Sequence, residues 1–529
     1  MNKIEYLKAL KEALQHIDIS VMEEIAADYE EHFQVGMENG KSEEQICEEL
    51  GSIDDLVKEI NAVYNTDKKE YSYEGTDNQQ AYSARDTDDT GYDGSAPNRI
   101  SDVINRVLDS TSDAINQALH ATSEAISKVD TNEIGDRLKN TLEEATSRLS
   151  DLAENGYRKH FGSFDPSTIY RDNISKSYDN VEPGGQKINL VVDGICANVV
   201  VKESTDDKIN IRYENNGSER QRQKYAFYSF MEGNTVYAGI RNAGNAVFMF
   251  NLKAYAITIY LEVPSGIGVV DIKTASGDIR ADHVSPERFY ADTASGDISV
   301  GRIELEELKL NSASGDIRIQ DGNSVHVKAV TISGDIEAKN LTAKNLSLKS
   351  TSGDVDANNT VADSIEYYSL SGSLDNTRLR AEKCRIKSTS GDIEISDSSI
   401  NNADVSSMSG DIDLTNIAGD SLSVKSTSGD VDLDANVRRC QASSKSGDID
   451  AVLNGDVALE SDSTSGSINI RLKNYGNGYR IKSRTVSGIL SIQYSDLHQR
   501  NLKTGTYAYG NQGSELILSS ISGDIRVKD

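Results

Sequence analysis

The sequence predicts a mainly β protein: a single-stranded parallel β-solenoid, or β-helix, preceded by a small all-α domain and a helical linker region. Three observations carry this prediction. Ser-Gly recurs thirteen times between residues 276 and 523, and Asp follows in ten of these copies. The glycines are 19 residues apart for eight consecutive intervals, and so short a fixed period marks a solenoid. Ile, Val or Leu stands two residues after every glycine, and twelve copies carry another apolar residue two positions further on.

Each coil of about 19 residues is expected to hold at least two short strands. The period-two alternation after the glycine is typical of a strand with one buried face. A second apolar pair often follows, as in Leu308 and Leu310 or Leu422 and Val424. Stacked coils would form parallel sheets around a narrow aliphatic core, and the motif-bearing coils would span roughly 60 Å at ~4.8 Å each. A propeller blade needs ~40–45 residues, so this period excludes a propeller.

We interpret Ser-Gly-Asp as the corner at which every coil turns. Glycine reaches backbone angles closed to other residues, and Ser and Asp side chains hydrogen-bond nearby amides in turns. Three copies represent this structural turn: Ser276, Gly277 and Asp278; Ser390, Gly391 and Asp392; Ser428, Gly429 and Asp430.

A calcium ladder is a second interpretation of the same motif. Coils stacked at ~4.8 Å would place the aspartates in one column, where like charges repel and calcium could relieve the repulsion. Calcium-binding β-rolls use a GGxGxD repeat, which is missing here, so the sequence favours a structural turn and predicts no metal. Outward, hydrated carboxylates are the third possibility.

The four cysteines show no metal-binding spacing. Cys384 and Cys440 occupy similar positions three coils apart, roughly 14 Å, whereas a disulfide needs Cα atoms within ~7 Å. Both are predicted to be buried free thiols.

The chain before the solenoid divides by composition. Residues 1–64 show helical patterns, with 16 acidic and 5 basic residues. Residues 65–98 lack Val, Ile, Leu, Met and Phe and are predicted to be a disordered acidic linker. Residues 99–160 are predicted to form an amphipathic helical segment, for which packing or coiled-coil pairing is favoured over peripheral membrane contact through 99–155. Residues 165–265 alternate like strands without the motif and should form the irregular N-terminal cap, followed by the regular solenoid with C-terminal insertions over 266–529.

Two regions resemble known families. "MNKIEYLKAL", "DYEEHF" and "GKSEEQICEELGSIDDLVKEI" resemble the bacterial HAAS-type helical signalling domain, whose members accompany PadR-type regulators and often carry membrane segments. "LEVPSGIGVVDIKTASGDI", the 19-residue series and "GSELILSSISGDIRV" resemble the bacterial β-strand-repeat family labelled "putative adhesin", over roughly residues 180–529. The second resemblance implies a link to the cell envelope and its stress responses, and it supplies no catalytic residues.

One candidate binding site is predicted, at the C-terminal end of the solenoid. The insertions "NYGNGY" and "YSDLHQRNLKTGTYAYGNQG" interrupt the repeat there, and insertions on solenoids often form a binding face. Their aromatic residues either cap the final coils or bind a ligand or partner. They are Tyr475, Tyr479, Tyr494, Tyr507 and Tyr509.

These observations predict a non-enzymatic scaffold without cofactors. No catalytic or phosphate-binding motif is present, and a net charge of −30 argues against nucleic acid. The helical domain and the solenoid surface would each bind a protein partner, such as a transcriptional regulator or an envelope protein, in envelope stress or signalling. The alternatives are an adhesin-like surface protein that binds glycan or peptide and, more remotely, a carbohydrate-active β-helix enzyme. The absence of a signal peptide and of ~18 consecutive apolar residues predicts a cytoplasmic or membrane-peripheral location, with the cell surface as the alternative; the oligomeric state is left open.

Overall fold

A computed structural model describes residues 2–15, 42–50 and single positions between 22 and 53, then 168–180, 185–217, 222, 225–242, 257–473, 478–495, 497–511 and 513–529. The predicted linker and amphipathic segment, residues 65–160, lie outside the described residues. The chain divides into two compact units, a helical one and a β one, each treated by itself below.

The described residues of the helical unit include two capped helices. Helix α1 (Lys3–Ala13) starts with a capping box, in which Glu5 N–H donates to Asn2 Oδ1 at 2.9 Å and Asn2 N–H to Glu5 Oε2 at 3.1 Å. Ser42 caps helix α2 (Glu43–Leu50) in the same reciprocal way with Gln45. Tyr6 on α1 and Ile46 on α2 pack with Phe33, from the segment between the two helices, in a small core.

The described part of the β unit is a β-solenoid of about eleven coils, which confirms the predicted fold class. Residues 19 apart pair in parallel, as Ile298 does with Ile317, and the register shortens to 18 once, where Val431 pairs with Ile449. The strands of the regular coils are β9 (Val269–Thr274), β10 (Ile279–Val284), β11 (Arg288–Thr293), β12 (Ile298–Ser312), β13 (Ile317–Thr331), β14 (Ile336–Ser350), β15 (Val355–Ser369), β16 (Leu374–Thr377), β17 (Arg380–Ser388), β18 (Ile393–Ser396), β19 (Ser399–Ser406), β20 (Ile412–Ser426), β21 (Val431–Ser444), β22 (Ile449–Asn454), β23 (Ala458–Ser463) and β24 (Ile468–Lys473).

Side chains two and four residues after each motif glycine point into one continuous aliphatic core. Asn376 is the polar exception at these positions, with 1% of its surface exposed and both side-chain amide atoms lacking a hydrogen bond. Cys384 and Cys440 are buried free thiols, as predicted.

The motif glycines turn the corner for a different reason from the one the sequence suggested. Positive φ was expected, yet none of the thirteen has it. A Cβ on any of them would instead lie 1.8–2.2 Å from a carbonyl oxygen of the neighbouring coil, so close packing excludes a side chain. Positive φ occurs at a second corner six residues later, in His283, Arg302, Asp321, Asn340, Asn359, Arg378, Asp397 and Asn416.

A column of buried hydroxyls supports the first corner. Ser or Thr stands three residues before every motif glycine, and its Oγ accepts the glycine N–H at 2.7–3.1 Å in all thirteen copies. In many coils the same hydroxyl donates to the carbonyl of the neighbouring coil's glycine, as Ser350 does to Gly334 at 3.0 Å. The pattern Ser/Thr-x-Ser-Gly is visible in the sequence, but the role of its first residue was not predicted.

The aspartates form a second column that ties coil to coil. Asp392 Oδ1 accepts the N–H of Asp411 at 2.8 Å, and Asp430 Oδ1 accepts that of Asp448 at 2.8 Å. Asp278 does the same for Asp297 at 3.2 Å. One carboxylate oxygen in each of these residues therefore bonds to backbone, and we interpret the column as structural.

At both ends of the solenoid the order of coils in space differs from their order along the chain. β3 (Asn189–Ile195) lies between β7 (Thr235–Asn242) and β9, and β4 (Asn198–Glu203) between β8 (Ile257–Val263) and β10. At the far end, β29 (Ser514–Ser520) lies between β23 and β25 (Gly478–Thr485), and β30 (Ile525–Lys528) between β24 and β26 (Leu490–Tyr494). Each end thus has one coil inserted beneath the outermost coil.

Antiparallel strands cover both outermost coils, which removes open parallel edges. At the N-terminal end β5 (Lys208–Asn215) pairs with β8 and β6 (Tyr225–Glu232) with β7, and β2 (Ile174–Asp179) and β1 (Ile169–Tyr170) extend them. At the C-terminal end β27 (Leu497–Leu502) pairs with β26 and β28 (Gly505–Gly510) with β25.

Candidate binding surface at the C-terminal cap

The predicted tyrosines lie on the strands that close the C-terminal end. Tyr479, Tyr494 and Tyr509 form one cluster, with ring centroids 5.4–5.6 Å apart. Tyr507 packs separately against the core, and Tyr475 lies outside the described residues. Three of the five candidates therefore come together, around the junction of β25, β26 and β28.

Two of these tyrosine hydroxyls form hydrogen bonds within the cap. Tyr479 is completely buried, and its hydroxyl donates to the Gln493 carbonyl at 2.6 Å. The Tyr509 hydroxyl donates to Gln499 Oε1 at 2.6 Å. Burial and, secondarily, the nearby Tyr507 raise the pKa of Tyr509. The geometry supports capping for Tyr479, whereas Tyr509 keeps part of its ring at the surface.

Exposed aliphatic side chains gather at the corner of the same cap. Val486 is 71% exposed and Ile489 is 47% exposed, on either side of the Gly488 turn, and Ile521 is 52% exposed. Val486 and Ile521 occupy the same position in adjacent coils, two residues before the motif glycine. The bond from Ser487 N–H to the Ile521 carbonyl, at 3.0 Å, joins these two coils. An outer capping coil is normally polar, so this apolar corner is unusual for a solenoid end.

The cap also differs in charge from the coils before it. Residues 471–529 contain nine Arg and Lys and four Asp and Glu, a net of +5 in a chain of −30. In contrast, positions one and three residues after the glycine form an acidic face from Asp335 to Asp450. Burial, followed by neighbouring carboxylates, raises the pKa of Asp356 and Asp432 on that face.

Potentially reactive side chains also lie in a groove of the solenoid and in its core. A shallow groove on the outer face of the long strands is lined by Glu366, Arg385 and Asp404 among others. Arg385 Nε lies 3.4 Å from Asp404 Oδ2 within it, and Glu366 Oε2 lies 3.3 Å from Nζ of the neighbouring Lys349. Burial raises the pKa of the Cys440 thiol to about 12, so it stays protonated at neutral pH. Among the described residues no group of three or more His, Cys, Asp and Glu is placed to hold a metal ion. No helix in the described ranges is long and apolar enough to cross a membrane.

Comparison with known families matches both units. A family model described as Toastrack DUF4097 matches residues 186–375 and 362–528, well over half of the chain. The chain belongs to the Toastrack family. The HAAS model matches residues 5–59, which confirms the resemblance of the helical unit.

Solved structures and curated proteins add little to this assignment. A "putative adhesin" from Bacteroides fragilis is 11% identical, with 67% of this chain and 97% of that chain covered and a TM-score of 0.21. A "putative cell adhesion protein" from Clostridium sporogenes is also 11% identical, with 68% and 99% covered and a TM-score of 0.13. Likeness at these scores supports no conclusion about fold or function. No curated protein matches this Toastrack chain.

Proposed function

We propose that this Toastrack protein is a non-enzymatic interaction scaffold of bacterial envelope stress or signalling. In this proposal the HAAS unit binds a regulator or envelope protein, and the solenoid surface binds a second partner. The main support for the proposal is that the hydroxyls, carboxylates and thiols of the repeat have structural roles. The buried hydroxyl column and the aspartate column hydrogen-bond to backbone, and the Cys384 and Cys440 thiols are buried with raised pKa values.

The repeat suits this role because it fixes the positions of outward side chains. Buried and outward side chains alternate over the first residues of the long strands, and residues 19 apart stand one coil apart. A partner thus meets columns of side chains at a spacing of ~4.8 Å on a rigid support.

Photo-crosslinking in living cells tests the scaffold. A photoreactive residue replaces Ile4, which is 77% exposed on α1, or Val325, which is 41% exposed on the solenoid. Two different, reproducible protein adducts are expected, whereas the buried position Leu310 serves as a matched control that captures neither. Failure of both exposed positions to capture any protein contradicts the proposal.

Protease treatment of intact cells separates the two locations. We propose an intracellular, membrane-peripheral protein, so the solenoid should resist protease until the cells are broken. Digestion in intact cells, with a cytosolic marker preserved, would refute this location and favour the adhesin-like alternative.

A further inference from the structure

We propose that the corner of the C-terminal cap binds an anionic lipid surface. The proposal goes beyond the scaffold function and is consistent with the membrane-peripheral location proposed above, but it does not depend on that location. The site consists of the exposed aliphatics Val486, Ile489 and Ile521 together with the cations Arg484, Arg500 and Lys503.

These aliphatic and cationic groups occupy one corner because of the cap's strand order. The segment joining β27 to β28 passes over the turn between β25 and β26, where Thr485 N–H donates to Thr504 Oγ1 at 3.3 Å. That contact brings Lys503 beside the turn that carries Val486 and Ile489. Arg484 precedes the turn on β25, and Arg500 lies on β27, which pairs with β26 beyond it.

The three cations are available to a ligand. Arg484, Arg500 and Lys503 are exposed, and no carboxylate among the described residues pairs with them. Their neighbours Lys482 and Arg526 are different, since they lie 2.7 Å from Glu515 and 2.8 Å from Asp524.

The acidic face does not cancel this local positive charge. The carboxylates of Asp448 and Asp450 lie three coils below the outermost coil, because the coils bearing Gly466 and Gly523 intervene. Three coils are ~14 Å, whereas the Debye length at physiological salt is ~8 Å.

Two carboxylates lie nearer to the corner. Asp524 Oδ1 accepts the Ile489 N–H at 2.9 Å while Asp524 Oδ2 lies 2.8 Å from Arg526. Asp462 lies two coils below Arg484 in the same column. Asp524 is already counted in the net charge of +5 over residues 471–529, so the cap remains positive.

Shape and composition favour lipid over an acidic protein. Val486 and Ile521 protrude, with 71% and 52% of their surface exposed, so a rigid protein surface would bury little of them, whereas the deformable boundary of a bilayer can admit them. Aliphatic side chains surrounded by Arg and Lys, with partly exposed tyrosines nearby, match the composition of interfacial membrane contacts.

Vesicle co-sedimentation of the full-length protein tests the proposal, with phosphatidylglycerol–phosphatidylcholine vesicles compared with phosphatidylcholine alone. The double variant R484Q/K503Q should bind anionic vesicles about thirtyfold more weakly, since each basic residue near such a surface adds about a fivefold factor. The variant V486S/I489S should also lose binding, and all four positions are at the surface, so the fold should persist. K344Q/V325S makes the same types of change on exposed mid-solenoid residues and should bind like wild type.

Three outcomes would overturn the proposal. One is that wild type shows no preference for anionic vesicles. Another is that both cap variants bind like wild type, which would assign any lipid contact to another part of the chain, such as residues 99–155. The third is that the wild-type protein does not bind vesicles but binds poly-glutamate through Arg484 and Lys503, which would make the cap a binding site for an acidic protein.

Discussion

Replacement of one corner glycine by alanine should destabilise the whole solenoid. In Gly391→Ala the new Cβ would lie 2.0 Å from the Gly372 carbonyl oxygen, where real Cβ contacts stay above 3.0 Å. The coils must separate by about 1 Å, which strains the flanking bonds from Ser390 N–H to the Leu370 carbonyl and from Leu374 N–H to the Asp392 carbonyl, both 3.0 Å.

The expected cost follows from these contacts. Overpacking costs about 1–3 kcal/mol, and two weakened hydrogen bonds add about 1 kcal/mol each. Alanine also lowers the conformational entropy of the unfolded chain, which offsets about 0.5–1 kcal/mol of this cost. The net loss in the free energy of unfolding is therefore about 2–4 kcal/mol.

Urea unfolding followed by circular dichroism measures this loss. Gly301→Ala is the matched control on a regular coil, because its φ is not positive and its Cβ would lie 3.3 Å from Asp282 Oδ1 and 3.7 Å from the Gln320 carbonyl oxygen. We expect a clearly lower midpoint for Gly391→Ala and a nearly unchanged one for Gly301→Ala. Equal midpoints in both variants and wild type would refute the close-packing explanation of the motif.

Three further predictions concern single side chains of the coils. Ser388→Ala should lower the free energy of unfolding by about 1–3 kcal/mol, because it leaves the buried amide three residues later without an acceptor, whereas Ser388→Thr should be tolerated. The urea midpoint checks both, and equal loss in the two variants would argue against a hydroxyl-specific role. Asn376→Val should raise the free energy of unfolding by about 1–3 kcal/mol, since it removes a buried amide without hydrogen bonds; a lower melting temperature would contradict this. Asp432→Asn should raise the melting temperature at pH 7, with the gain shrinking as the pH falls. Burial, then Asp413 and Asp450, raise the pKa of Asp432, so its ionised form is disfavoured in the fold above that pKa, and the penalty vanishes below the ordinary carboxyl pKa. A gain independent of pH would show that charge is not the cause.

Much of the fold could be predicted from period and alternation. The 19-residue spacing gave the register, and the apolar positions after each glycine gave the core, because one buried face imposes period two on every strand. The reason for glycine was wrong: Gly391 is required by contact with the next coil, and contacts between coils leave no local conformational signal. The positive φ expected there belongs instead to residues such as Asn340 and Asn359.

The coil order at the ends could not be read from the sequence. All coils use the same corner ladder. The local sequence therefore does not distinguish stacking of Gly488 on Gly466 from stacking on Gly523. The irregular spacing before Gly488 and Gly523 did mark the insertions, yet only the fold shows that β29 and β30 enter beneath them. The exposed aliphatic corner of the cap was not predicted, because the sequence around Val486 and Ile489 does not indicate that their side chains are exposed.

The inserted coils have a consequence for how such a protein can change in length. An interior coil meets its neighbours through the same ladder on both sides, so the gain or loss of one 19-residue unit between Gly296 and Gly429 preserves the corner ladder and the parallel strand pairing. The two ends cannot grow in this way. A copy added after Asp529 would start from a strand already enclosed by coils on both sides, and it would have no edge to join. The length of this solenoid can therefore change by whole coils in the middle, whereas the coil order at its two ends does not accept an added repeat.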